Sequence, residues 1–487
     1  MRVVLVHYHL RRGGVTSVVL RQAKALMEGG DEVLVLAGTP PPHAGGEAPI
    51  TLIPELEYDR LRPAAERGAV LEDGRRLAVA IAAAIHRRWA GGAGILHAHN
   101  PLIKKNAALL PALRILQEQG MRLLLQNHDL AEDFRPDVYS EGTAYLENCH
   151  YAAVNSRDYA FLRQAGLQDA GLHLLPNETA PVQAVPGLDR KRYLYPVRAI
   201  RRKNIGEALL LSCFIPQGRT VAVTMPPNSE EDWRIYRRWA VFAEEHRLPM
   251  EFEAGAGKDF GSLLGGAYGV LTTSIKEGFG FSFLEPWTAG RAVVGRRIDH
   301  VCRDFEAAGV VFQKPQEAEG ESLYRSLEIP VERLDFPALQ SRMEQAFRAV
   351  YTAFNEQPPD WALQSITETL RGLKTIDFGR LDEDFQAGVI QSLLSSEQAR
   401  RDIAGLNPFL AGLADWRPDE ELIAANREHI AQSYGRARIS ALLRKTYTAV
   451  LNASVTHSLS KSRLLELYLN PLNFSLIGCS QACMTQP

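Results

Sequence analysis

Short apolar runs alternate with helical stretches along this chain, in two successive series, and that pattern leaves few folds open. Val3 to Val6 is wholly apolar, as a strand covered on both faces of a parallel sheet must be. The loop from His7 to Gly14 follows. Apolar residues then recur at helical spacing (Val15, Val18, Val19, Ala23, Leu26), and Gly29-Gly30 closes the helix. Asp31 to Leu36 is the next strand. Strand, crossover helix and second strand make one βαβ unit of a parallel sheet. The series continues with Ile95-Leu96, a helix from Ala107 to Gln119, and strands at Arg122–Gln126, Tyr151–Val154 and Leu172–Leu175.

Residues 180 to 192 hold Pro181, Pro186, Gly187 and the charged run Asp189 to Arg192, the character of a linker. A second series follows: strands at Tyr193–Val197, Thr220–Thr224, Glu251–Glu253, Gly269–Thr273 and Ala292–Val294, with helices at Asn204–Cys213 and Glu230–Glu245. From about residue 332 the pattern is helical, ending in a long helix from Asn426 to Leu451. The expected architecture is α/β: an N-terminal Rossmann-like domain (1–185), a second one (186–331), a helical insertion (332–420), and C-terminal helices (421–487) that return to the first domain. Two such domains are expected to face across a cleft at the carboxyl ends of their strands, where ligands of open α/β sheets bind.

The 487 residues carry a formal net charge of -2, so bulk electrostatics give no reason to expect a nucleic-acid partner. Cys149, Cys213, Cys302, Cys479 and Cys483 are scattered and follow neither a disulfide nor a zinc pattern, which fits a reducing cytoplasm. The N-terminus starts a strand at once, without the look of a signal peptide, and no window reaches 18 uncharged apolar residues.

Four stretches carry chemistry. In Lys276-Glu-Gly-Phe-Gly-Phe-Ser-Phe-Leu-Glu-Pro-Trp287, Glu277 and Glu285 flank a glycine-containing turn. Gly278, Phe279, Gly280, Phe281 and Ser282 lie between them. The glycines leave room for backbone beside a ligand, Phe281 is expected to open a helix whose first amides suit a phosphate, and Glu285 falls about two turns into it. Two surface glutamates around an ordinary turn remain the plain alternative. Arg198-Ala-Ile-Arg-Arg-Lys203 follows a strand, so its cations can meet a diphosphate; Arg201 and Arg202 leave open which ones do. Arg12-Gly13-Gly14 is no G-x-G-x-x-G fingerprint, which disfavours a dinucleotide oxidoreductase. The fourth group comprises the strand-end histidines: His7, His9, His97, His99 with Asn100, and His128. A His-x-His pair on a strand suits a metal, but no third ligand is apparent. Lys104 and Lys105, at the next helix start, suit an anionic small molecule or plain solvent exposure.

The segment Glu277 to Glu285, with Thr288-Ala-Gly290 and Ala292-Val-Val294 after it, resembles the Glu-x7-Glu signature of the retaining GT-B glycosyltransferases, in particular glycosyltransferase family 4. The resemblance covers roughly residues 1 to 300 and the Asn426–Leu451 stretch. It implies that Glu277 contacts donor-sugar hydroxyls, that Glu285 binds the ribose, and that Arg198 and Lys203 close on the diphosphate. It further implies that Gly13 and Gly14 approach the donor and that His128 contacts the transferred sugar. His7, His9, His99, Asn100, Lys104 and Lys105 are then expected on the acceptor side. Asn177-Glu178 resembles the family's Pro-Asn-Gly, with Glu178 in place of the glycine.

The activity so implied is retaining, metal-independent hexosyl transfer from a UDP- or GDP-linked sugar to a hydroxyl of a small polar acceptor, anionic ones included, with no cofactor. The insertion offers a surface for a homo-oligomer. A nucleotide-sugar epimerase, a phosphorolytic enzyme, and a non-catalytic nucleotide-sugar-binding scaffold remain open on the same scaffold.

Overall fold

The computed structural model describes residues 1–42, 48–61, 68–139, 142, 144–313 and 322–479; Cys483 lies outside them. The chain forms two compact units, Met1–Glu178 with Gln432–Leu469, and Thr179–Ala431 with Asn470–Pro487.

The first unit is built on a seven-stranded parallel sheet of β1 (Arg2–Val6), β2 (Glu32–Ala37), β3 (Ile50–Leu52), β4 (Ile95–His99), β5 (Leu123–Asn127), β6 (His150–Ala153) and β7 (Leu172–Leu174). Their order is β3-β2-β1-β4-β5-β6-β7. Alternate side chains along a strand point to opposite faces, and both faces are covered. Val4, Val6, Leu34, Leu36, Leu96 and Ala98 pack with the helices Val70–Arg88 and Leu109–Glu118. Val3, Leu5, Val33, Val35 and Ile95 pack on the other face with Val19, Ala23 and Leu26 of the helix Gly14–Glu28. That second face is completed by Ile439, Leu443, Tyr447 and Val450, from a helix more than four hundred residues along the chain (Arg436–Asn452). Burial on both sides is why these strands read as unbroken apolar runs.

The expected single helix from Asn426 to Leu451 is two helices, Glu420–Tyr434 and Arg436–Asn452, separated at Gly435. The return to the first unit is also shorter than residues 421–487: 421–431 and 470 onward group with the second unit. Arg436 anchors the returning helix. Its guanidinium donates to Glu178 Oε1 at 3.1 Å and to both Glu28 carboxylate oxygens at 3.0 Å. Glu178, where the resembling family has glycine, is buried in this ion pair and is absent from the positive-φ residues. A charged side chain with a partner thus stands where a glycine turn was in question.

The second unit holds a six-stranded parallel sheet of β8 (Arg192–Arg198), β9 (Thr220–Met225), β10 (Met250–Glu251), β11 (Ala267–Thr272), β12 (Val293–Arg296) and β13 (Leu323–Tyr324), in the order β10-β9-β8-β11-β12-β13. The segment expected as a free linker at 180–192 belongs to this unit: Val182 N donates to Thr288 Oγ1 at 3.1 Å and Val185 N to the Gly261 carbonyl at 3.1 Å. The boundary therefore falls at Glu178/Thr179 rather than at 185/186. The helical region carries one antiparallel pair, β14 (Glu328–Pro330) with β15 (Thr375–Asp377). Asp377 then joins Glu207 in clasping the buried Arg296 guanidinium, at distances of 2.7–2.9 Å. Among the described residues no helix is long and apolar enough to cross a membrane.

Candidate functional site

Strands β8 and β11 are parallel neighbours, with Tyr193 opposite Gly269 and Leu194 opposite Val270. Parallel pairing brings their carboxyl ends to one edge, so the loops 199–204 and 273–278 start side by side. Hydrogen bonds stitch these loops together. Tyr195, on β8, has its hydroxyl 2.6 Å from the Lys203 carbonyl and 2.9 Å from Ser274 Oγ. Thr273 Oγ1 lies 3.1 Å from the Lys203 carbonyl, and Ile275 N donates to the Arg202 carbonyl at 3.1 Å.

The stitching delivers Lys203 onto Glu277, where the ammonium donates to the carboxylate in a pair that is almost wholly buried. Burial opposes ionisation of Glu277. The Lys203 and Arg202 charges, with hydrogen bonds from Lys203 and Ser274, outweigh it and hold the carboxyl below its ordinary range. Arg198 ends β8, is half-buried, and donates to the Pro226 carbonyl at 3.3 Å. The structure therefore joins Lys203 to Glu277 directly and sets Arg198 at the same sheet edge.

It also sorts the remaining cations. Arg201 is taken up in the scaffold: it clasps Glu383 at 2.7 and 2.9 Å and donates to the Cys479 carbonyl at 2.6 Å. Asn204 then turns the chain with φ 51°, its side chain held between Glu207 and Gln386 at 2.7 and 2.8 Å. Asparagine tolerates that left-handed conformation better than most residues.

The glutamate-flanked turn differs from expectation. Phe281–Phe283 is a 3-10 turn, and a four-residue helix, Glu285–Thr288, begins after it. Glu285 is thus the first residue of that helix and does not lie two turns inside one, and no long helix offers its amides at Phe281. Pro286 explains the break, because proline lacks an amide hydrogen and is tolerated only in a helix's first turn. Gly280 has φ +88°, and a Cβ there would come within 2.6 Å of Val301 Cγ1. Glycine is required here by packing and backbone conformation, whatever binds nearby. Gly278, Phe281, Ser282 and Glu285 are half-buried, and Phe279 packs edge-on against Phe281 and Phe305. A cavity of about 1390 Å³ elsewhere in this unit, walled by Trp287, Tyr324, Phe409 and Trp416, shares no residue with Arg198, Lys203 or Glu277.

In the first unit, Gly14 opens the helix Gly14–Glu28, and no side chain caps that end. A Cβ on Gly14 would meet nothing within 4 Å, and one on Gly13 only the Arg11 carbonyl at 3.9 Å. Packing of the described residues therefore does not demand glycine at either position. The strand-end histidines form a buried stack. His97 and His99 have ring centroids 4.3 Å apart, and His99 Nδ1 lies 3.0 Å from His128 Nε2. His7 Nδ1 lies 3.4 Å from the His99 carbonyl, and His97 Nδ1 lies 2.9 Å from the Tyr447 hydroxyl. Burial first, then mutual repulsion, pushes these rings far below an ordinary histidine: His7 and His97 to about 3, His128 to about 4 by burial, and His99 well below 6.5. They are neutral. Among the described residues no group of three His, Cys, Asp or Glu side chains could hold a metal ion.

This burial corrects part of the expected acceptor set. His99 is 0% exposed, so it cannot touch an acceptor in this conformation. The Asn100 side chain is occupied, its Oδ1 accepting from His128 N at 2.6 Å and Asp129 N at 3.2 Å. His7 is likewise buried. Lys104 and Lys105 sit in the loop between β4 and the helix Leu109–Glu118, not at a helix start, and Lys104 is exposed. Around the Tyr58 ring gather His9, with centroids 4.8 Å apart, Arg60 at 5.8 Å and Lys105 at 5.9 Å. Burial first, then the Arg135 and Arg60 charges, lower the Lys105 pKa against the opposing Asp137 and Asp129 carboxylates.

Sequence reading missed Tyr195, Thr273 and Ser274, which fix the paired loops, and Arg60, which extends the basic group. A tyrosine at the middle of a buried strand was the available signal for the first of these.

Two parallel Rossmann-like sheets with a helical C-terminal region define the class: the chain has the fold of the GT-B glycosyltransferases. Particular relatives bear this out. The structure is similar to sucrose-phosphate synthase from Thermosynechococcus elongatus, with a TM-score of 0.54 and 16% identity over 92% of this chain and 98% of that one. It is also similar to HepE of Anabaena in complex with UDP and glucose, with a TM-score of 0.52 and 12% identity over 92% and 99% of the two chains. Among curated proteins, mannosylglucosyl-3-phosphoglycerate synthase of Petrotoga mobilis is 27% identical over 245 residues. That match takes in 44% of this chain and 48% of the relative, so the chain spans about half the length of the curated relative it matches. No family model matches the chain.

Proposed function

We propose that this protein is a retaining glycosyltransferase that moves a hexosyl group from a UDP- or GDP-linked sugar to a hydroxyl of a small anionic acceptor. The observation that carries the reading is the buried Lys203–Glu277 pair, set at one sheet edge with Arg198 by the stitched loops. When the bond between the sugar's anomeric carbon and the phosphate breaks, the departing diphosphate gains negative charge. Fixed cations already in place there stabilise that charge without reorganising. In this reading Arg198 and Lys203 take the diphosphate, Glu277 takes sugar hydroxyls, and Glu285 takes the ribose, with Gly278 to Ser282 lining the turn between them. The acceptor oxygen forms its bond on the face the diphosphate leaves, and the acceptor's proton passes to the leaving phosphate. The cations remove the need for a metal.

The anionic acceptor is supported by His9, Arg60 and Lys105 around Tyr58, and by the exposed Lys104. The Petrotoga relative and the synthase from Thermosynechococcus are both named for phosphorylated products. Gly13 and Gly14, where a Cβ would meet no more than the Arg11 carbonyl at 3.9 Å, are read as the place where this loop approaches a ligand.

The test is a panel of nucleoside diphosphates and their hexose conjugates, read by thermal shift and then by transfer to phosphorylated hydroxy-acid and sugar acceptors with chelator present. One nucleotide should raise Tm with concentration as RT ln(1 + [L]/Kd) predicts. NMR of the product should report an unchanged anomeric configuration. Inverted product, or full turnover by Glu277→Ala, refutes the assignment.

A further inference from the structure

His99, the last residue of β4, and Asn100 directly after it hold His128 from two sides. The Asn100 backbone sits at φ 55°, and its Oδ1 brackets the amides of His128 and Asp129 at 2.6 and 3.2 Å, which fixes where the His128 backbone lies. The His99 and His128 ring planes are nearly parallel, 12° apart, with Nδ1 and Nε2 separated by 3.0 Å. Two neutral imidazoles can share only one proton across such a contact, so one ring donates and the other accepts.

The donor can be identified. His99 Nε2 is buried and finds no partner among the described residues. An N–H there would be an orphaned buried donor, which is rarer and costlier than an orphaned acceptor. The proton of His99 therefore belongs on Nδ1, pointing at His128 Nε2.

We propose that His99, with Asn100, is a positioning device that fixes the ring orientation and the tautomer of His128, which carries its proton on Nδ1. This rests on the reading of His128 as a sugar contact. It gives His99 a task its burial permits, and it explains a buried ring stack at the carboxyl end of β4. A ring whose second nitrogen is held offers its free nitrogen as a donor of fixed direction, a recurring way of orienting a working histidine.

The deciding measurement is the imidazole nitrogen spectrum of the full chain with ring-labelled histidine, His128 being assigned through His128→Gln. Wild type should show His128 neutral at pH 7 with a protonated Nδ1 and a bare Nε2. A protonated Nε2 on His128 overturns the proposal without any variant. In His99→Phe, which cannot donate, the His128 signals should move toward a tautomer mixture. The rate constant kcat should then fall by on the order of 10- to 100-fold with KM little changed, the scale expected of a misplaced group. His99→Gln, whose amide can donate, should restore most of both. A folded His99→Phe with unaltered His128 signals also refutes it. Should His128→Ala keep full transferase activity, the functional reading of His128 fails, while the tautomer result still decides whether His99 holds that ring.

Discussion

Lowering the pH from 7.5 to 5.5 should weaken the first unit through its histidine stack, by an amount that can be worked out. His7, His97 and His128 have folded values near 3, 3 and 4, and His99 lies well below 6.5, against about 6.5 for each in the unfolded chain. Between those limits the unfolded chain binds protons that the folded one refuses. The stabilisation is therefore complete above the unfolded value and is lost as pH falls through it. Over this window each unfolded histidine goes from about one-tenth to about nine-tenths protonated, which costs about 1.4 kcal/mol per ring. The four rings are 0–6% exposed, so solvent screening takes little from this, and together they lose about 5 to 6 kcal/mol. Other lowered histidines, His150, His173 and His457, add to the total, so the decisive quantity is a difference between proteins. Urea unfolding, followed by hydrogen exchange at the β4 amides, would be run at both pH values on wild type and on His97→Gln. The glutamine keeps a partner for the Tyr447 hydroxyl, and the variant's drop should be about 1.4 kcal/mol smaller than the wild type's. Identical drops in the two proteins would mean that His97 titrates when folded, and the buried neutral stack would be wrong.

Other perturbations bear on the second unit. Lys203→Met strands the buried Glu277 carboxylate and should cost about 3–5 kcal/mol in urea unfolding, most of it recovered by Lys203→Met with Glu277→Gln; an additive double variant refutes the pair. Glu383→Gln should loosen the Arg201 anchor and lower Tm while leaving nucleotide affinity within about twofold, whereas Arg198→Met should leave Tm nearly unchanged and weaken nucleotide binding by about tenfold or more, as lost charged hydrogen bonds do. Weakened binding in the Glu383 variant alone would move the diphosphate role to Arg201. Gly280→Ala should lose about 2–4 kcal/mol from a positive φ and a clash with Val301; Val301→Ala should return only the clash part, and an unaffected Tm would show that the turn relaxes freely.

The parts of this protein legible in its sequence are those governed by neighbours along the chain. Both series of strands and helices stand out because a strand buried on both faces must be apolar at every position, as Val3 to Val6 and Leu34 to Leu36 are. Glu277, Arg198 and Lys203 stand out because they follow strand ends, where a parallel sheet puts its working loops. Pro286 also held, unread, the reason why Glu285 starts a helix.

What tertiary structure alone decided are the partnerships between distant residues. No local signal says that Arg201 is spent on Glu383, 182 positions away, and that Lys203 is aimed at Glu277. Nor does one say that His99 is stacked on His97 and turned toward His128. A side chain's charge, hydrogen-bond direction and access to water depend on what packs against it. In a parallel α/β fold those neighbours arrive from other crossovers, and here also from a helix near the end of the chain. Residue type and spacing therefore nominate the groups, while only the packed fold assigns each its partner and its protonation state.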